Sequence, residues 1–182
     1  MADGMVDKQV YSKYCNDIIH FASWIHANEV AWFTDYGKAA YEEMNLLRED
    51  EKSKDCRKRI KDGWMALLQN ARQNPVFHID DITPSRVMEG WISKQANQIT
   101  LKPLSSAGYG GKRSAVFHLF RVHNGKGPTL DFQDKMTALW KGFSRTINKR
   151  KIRARRPAVE QDEDGLVFDK EGEESGSDSD DE

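Results

Sequence analysis

The residues of this 182-residue chain whose type and spacing could do chemistry are its cations. Between Lys102 and Arg156 stand 14 Lys or Arg against two acids, Asp131 and Asp134, a net charge of +12. Lys112 and Arg113 follow SAGYGG at the start of an apolar-periodic segment, and Lys141, Arg145 and Lys149 recur every fourth residue. Cations at a helix N-terminus add to the pull that its dipole and free N–H groups already exert on an anion, which is the chemistry of a phosphate clamp. A polar helix face is usually only solvated, but the Lys141 stripe lacks the acids at neighbouring turns that would pair with it. An unbalanced cationic stripe points to a polyanion. For Lys112 and Arg113 the competing reading is an ion pair. On a helical wheel Arg113 shares a sector with Tyr109 and Phe120, so it must emerge at the end of the core or pair inside it.

The run Lys149, Arg150, Lys151, Arg153, Arg155, Arg156 has the composition of a nuclear localisation signal or a nucleic-acid arm. Beyond it the sign reverses. Residues 160–182 hold 12 Asp or Glu against Lys170, a net of −11, while residues 1–159 carry +10, so the overall −1 conceals two opposed halves. The acidic segment is too polar to offset its ordering entropy and is expected to be disordered. Tethered beside a basic surface, it would compete with other anions at a high effective concentration. Ser175, Ser177 and Ser179 each precede an acid by three residues and are candidate phosphorylation sites.

The elements that must position these cations are helices. Val10, Tyr14, Ile18, Phe21 and Ile25 line one face of a helix predicted over Asp7–Asn28. Ala39–Arg48 reads as helical and Glu49–Lys54 as a solvated turn. Ile60, Trp64, Leu67, Leu68 and Ala71 form the next stripe, stopped at Asn74–Pro75. Thr83–Pro84 predicts an N-cap and first helical position for a helix through Val87, Trp91 and Gln95, with Met88, Ile92 and Ile99 beside them, broken at Lys102–Pro103. Ser105 or Ser106 caps a helix with Tyr109, Val116, Leu119, Phe120 and His123 on one face, weakened in its first turns by Gly108, Gly110 and Gly111 and ended at Gly125–Pro128. Phe132, Met136, Leu139, Trp140, Phe143 and Ile147 define the last helix, with Lys141, Arg145 and Lys149 opposite. No alternating strand pattern stands out. The fold class is therefore all-α, a compact bundle of about five or six helices over 6–148, followed by a basic linker, 149–159, and an acidic tail, 160–182.

Catalytic and metal signatures are not evident. Cys15 and Cys56, with His20, His26, His78 and His123, show no metal spacing, so no cofactor and no metal are expected. Two unspaced cysteines and no long apolar stretch suggest a reducing, intracellular setting without membrane contact. His118-Leu-Phe-Arg121 matches a His-x-x-Arg pair. Both residues face away from the apolar stripe of their helix and are expected at the surface.

The segments YSKYCNDIIHFASWIHAN (Tyr11–Asn28), ITPSRVMEGWIS (Ile82–Ser93), SAGYGGKRSAVFHLFRVHN (Ser106–Asn124) and LWKGFSRT (Leu139–Thr146), in that order, resemble the N-terminal, SAM-like core-binding domain of tyrosine recombinases of the Crypton type. The resemblance implies a helical domain that clamps one side of a DNA duplex, while a separate catalytic domain supplies Arg, Lys, His and Tyr. The sequence leaves that pattern near Asn148, and its last tyrosine is Tyr109, so no nucleophile follows and the chain is read as a non-enzyme. Carried over, the resemblance makes Tyr109, Lys112, Arg113, Lys141 and Arg145, with Lys149 beyond them, the DNA-binding residues of a nuclear, mobile-element-derived protein. Two alternatives stay open. One is a helical interaction module whose acidic tail binds basic partners such as histones. The other is an enzyme completed by a separate recombinase domain.

Overall fold

The computed structural model describes residues 8–46, 53–97 and 100–155, and five α-helices account for most of them. These are α1 (Lys8–Asn28), α2 (Asp35–Leu46), α3 (Lys54–Gln69), α4 (Ser106–Asn124) and α5 (Leu130–Arg155). Among the described residues there is no β-strand, only two isolated bridges, Phe33 to Phe77 and Ala96 to Pro103. The protein is all-α. The chain divides into two units, Met1–Ile147 and Asn148–Glu182. The expected disorder of the tail and its three serines fall outside the described residues, as does Arg156.

Helix α1 is the central element and packs on both α3 and α4. Its repeat explains this: Cys15, Ile18, Ile19, Phe21, Ala22 and Ile25 are all buried, a stripe wide enough to meet two neighbours. The connectors after α1 and α3 are stitched together, with Thr34 N–H donating to Val76 O and His78 N–H to Trp32 O. Thr34 also caps α2, its hydroxyl accepting from Gly37 N–H at 2.9 Å and donating to Pro75 O at 2.6 Å. The aromatic rings of Phe33, Phe77 and Tyr41 close the core beside these connectors. Trp64 and Trp91 are each 1% exposed, and burying side chains of this size contributes about 2 kcal/mol or more apiece.

The segment after Thr83 departs from the expected helix. Pro84 does take the first helical position, but the turn opens into a π-helical stretch, Arg86–Trp91, followed by one 3-10 turn, Ile92–Lys94. The wide turn followed by a tight one brings Val87, Met88, Trp91 and Ile92 all into the core. Gln95 is extended, so the helix stops well before Lys102. Gly90 sits where a Cβ would meet Trp24 Cζ2 at 2.8 Å, which is why the turn carries a glycine.

Helix α4 runs through its glycines from the start. Ser105 is its cap, accepting from Gly108 N–H at 3.1 Å, and Gly125 ends it in the left-handed region at φ 79°. His123 is buried on this helix. Its Nδ1 lies 2.9 Å from Leu119 O, and its Nε2 accepts from Phe77 N–H at 3.4 Å. That pair of contacts suits the neutral ring with the proton on Nδ1, because a proton on Nε2 would face another donor. Burial holds the imidazoles of both His123 and His118 below their ordinary value of 6.5, with the Arg121 charge adding to the effect at His118. Both depress the folded-state value, so their stabilising effect is complete above 6.5 and is lost as the pH falls below it. Urea midpoints should therefore fall as the pH is lowered from neutrality toward about 5, above the carboxylate range, and His123→Gln should flatten that dependence. A midpoint equally pH-dependent in wild type and variant would refute the assignment to His123.

Candidate nucleic-acid interface

The cations singled out by spacing divide into two groups. Lys112 and Arg113 lie in the second turn of α4, because the helix begins at Ser106, so they do not flank its free N–H groups. Lys112 Nζ donates to Asp17 Oδ1 of α1 at 2.6 Å, with both side chains mostly covered, and lies 5.8 Å from the centre of the Trp91 ring. Arg113 donates from Nη2 to Thr137 Oγ1 of α5 at 3.0 Å and lies over Phe117 and Trp140, at 5.1 and 5.7 Å from the ring centres. Burial lowers its guanidinium value. Arg113 thus emerges half-buried at the edge of the core, one of the two outcomes its wheel position allows, and Lys112 joins α4 to α1 through Asp17.

Tyr109 requires a correction. It is buried, its hydroxyl donates to Gln95 O at 3.0 Å and accepts from Leu104 N–H at 3.2 Å, and its ring meets Phe143 edge-on. A side chain with its face packed and its hydroxyl engaged on both sides is a strut between α4, α5 and the preceding loop, so it does not belong to a DNA surface. His118 is the second correction. It is 3% exposed and packs tilted against Tyr14 at 5.2 Å between ring centres, although the wheel placed it outside. The covering surface is α1, whose packing extends the buried sector of α4 past its apolar stripe. Arg121 is exposed, as expected.

Lys141 and Arg145 of α5 are exposed, and neither has an ion-pair partner among the described residues. The only ion pair of α5 there is Lys135 with Asp131, one turn apart and exposed. Lys102, Lys126, Lys149 and Arg150 are exposed as well. Side-chain positions beyond Arg150, including Lys151, Arg153 and Arg155, lie outside the described residues.

Sequence spacing missed a groove that forms where α1, α4 and α5 meet. It has a volume of about 470 Å³ and is lined by Tyr14, Gly110, Arg113, Ser114, Phe117, Arg121 and Trp140. Trp140 is read correctly as an apolar-stripe residue, and Phe117 lies outside the stripe read for α4. Nothing in the spacing says that the two rings line a cleft together with Arg113.

No protein-family model matches the chain, and no curated protein or solved structure proved similar to it. Among the described residues no group of three or more His, Cys, Asp or Glu could hold a metal ion, and no helix is long and apolar enough to cross a membrane.

Proposed function

We propose that this chain is a non-catalytic, nuclear DNA-binding protein that grips duplex DNA through phosphates along the exposed side of α5. One observation carries the reading: Lys141 and Arg145 stand exposed one turn apart, without a carboxylate partner among the described residues, while Lys112 and Arg113 of the neighbouring helix are engaged by Asp17 and Thr137. Like charges clustered on one helix side repel one another, and a polyanion laid along that side relieves the repulsion and releases its own counterions. The sequence adds charge in the same sense with the run from Lys149 to Arg156. The kinship with tyrosine-recombinase core-binding domains, and an origin in a mobile element, belong to this proposal. They are supported by the order of the four segments that resemble that family and by the all-α bundle that those segments form.

Binding of this kind reads backbone charge and carries little sequence information of its own. The test is a titration of duplex affinity against salt with the full chain. A linear fall of log affinity with log salt, with a slope of magnitude about 2 or more, is expected for two or more phosphate contacts. Binding that ignores salt, or no duplex binding at low salt, would refute it. If the protein instead captured histones and left duplex DNA alone, the acidic tail would be its working part.

A further inference from the structure

The groove between α1, α4 and α5 has a composition that the duplex reading does not use. Two arginines open on it, Arg113 half-buried and Arg121 exposed, and among the described residues no carboxylate lines it. Arg113 has lost part of its hydration without gaining a counter-charge. Its contacts are the neutral Thr137 hydroxyl and the faces of Phe117 and Trp140. A partly desolvated guanidinium facing an open cleft favours an anion as its missing partner. Tyr14, Phe117 and Trp140 give it an aromatic lining, and Gly110 leaves space there, since a Cβ on it would meet nothing within 4 Å. The volume lies within the range of ligand pockets, roughly 300–1,000 Å³.

We propose that this groove takes an unpaired nucleotide of a single-stranded nucleic acid, the base against the aromatic walls and its phosphate on Arg113 and Arg121. Charge complementarity selects an anion, and the rings select one that carries a flat apolar group. An acidic peptide would satisfy the arginines and leave the aromatic walls unused, whereas a paired base has no exposed face to offer. The inference rests on nucleic-acid binding as the activity, but it uses residues separate from Lys141 and Arg145. The two surfaces would let one helical body hold duplex through α5 and an unpaired strand at the junction of α1, α4 and α5.

The experiment uses the full chain and two labelled probes, a short oligothymidylate and a duplex of equal length. Arg113→Gln and Trp140→Ala should each weaken oligothymidylate binding about tenfold, the scale of one base–aromatic contact, and leave duplex affinity within about twofold. Arg121→Gln should weaken it in the same selective way. Because Arg121 is exposed, that variant keeps the test decisive if Trp140→Ala does not fold. Selective loss on oligothymidylate supports the groove even if the wild type ignores duplex, an outcome that would remove the α5 reading alone. The inference is overturned if folded variants bind oligothymidylate like wild type, or if they lose both probes equally. It is also overturned if a peptide of residues 160–182 occupies the groove, in an Arg121-dependent way, while oligothymidylate does not.

Discussion

Replacing Gly37 by alanine should destabilise the protein by about 3 kcal/mol or more, the upper range for overpacking a site that cannot relax. A Cβ at Gly37 would lie 1.9 Å from Val76 O, 2.7 Å from Val76 C and 2.9 Å from Val76 Cα. All three are backbone atoms, so no side-chain rotation relieves the clash. The backbone on both sides is also tied down. Thr34 N–H donates to Val76 O, and the Thr34 hydroxyl joins Pro75 O to Gly37 N–H. Moving Val76 away would break the α2 cap and the Phe33–Phe77 bridge together, and the cap alone is worth roughly 1 kcal/mol. The measurement is a urea midpoint at unchanged m-value. Gly142→Ala is the control with the opposite sign. Its Cβ would meet nothing within 4 Å inside α5, so a gain of about 0.5–1 kcal/mol is expected from reduced unfolded-state entropy. If both variants shifted the midpoint alike, the close approach of α2 to the Val76 backbone would be wrong.

The second large effect concerns the exposed side of α5. Lys141→Gln combined with Arg145→Gln should reduce the magnitude of the salt slope of duplex binding by about two and weaken binding by at least about tenfold at low salt. Two phosphate contacts are removed, and with them the release of their counterions. Stability should stay within about 0.5 kcal/mol of wild type, because both side chains are exposed and neither has an ion-pair partner among the described residues. Lys112→Ala behaves the other way in this structure. It leaves Asp17 of α1 without its cation and should lower the urea midpoint, with little change of salt slope. A Lys141/Arg145 variant with the wild-type slope would remove α5 from the interface, and an altered slope for Lys112→Ala in a normally folded protein would restore the phosphate-clamp role to α4.

Much of the scaffold was legible from local pattern. The apolar stripes of α1, α3, α4 and α5 identify buried faces, because residues three and four apart must share one side of a helix. Ser105 and Gly125 mark the ends of α4, since a serine oxygen satisfies a free N–H and only glycine enters the left-handed region without strain. The turn after Thr83 was legible only at its start. Periodicity that suits a regular helix is also compatible with a π-turn followed by a 3-10 turn, so the apolar pattern alone does not choose between them.

The sequence by itself determined that this chain is helical, that its positive charge gathers between Lys102 and Arg156, and that an acidic segment of opposite sign follows. These are properties of composition and short-range spacing, which do not depend on what packs where. Only the tertiary structure decided which cations remain available. Lys112 is held by Asp17, 95 residues away in sequence, Arg113 by Thr137 and two rings, and Tyr109 by the backbone of Gln95 and Leu104. A helical wheel gives the angle of each side chain but not the neighbour that covers it. The Lys112–Arg113 pair therefore reads as a phosphate clamp in sequence and as contacts to neighbouring helices in the fold, while Lys141 and Arg145 are exposed among the described residues.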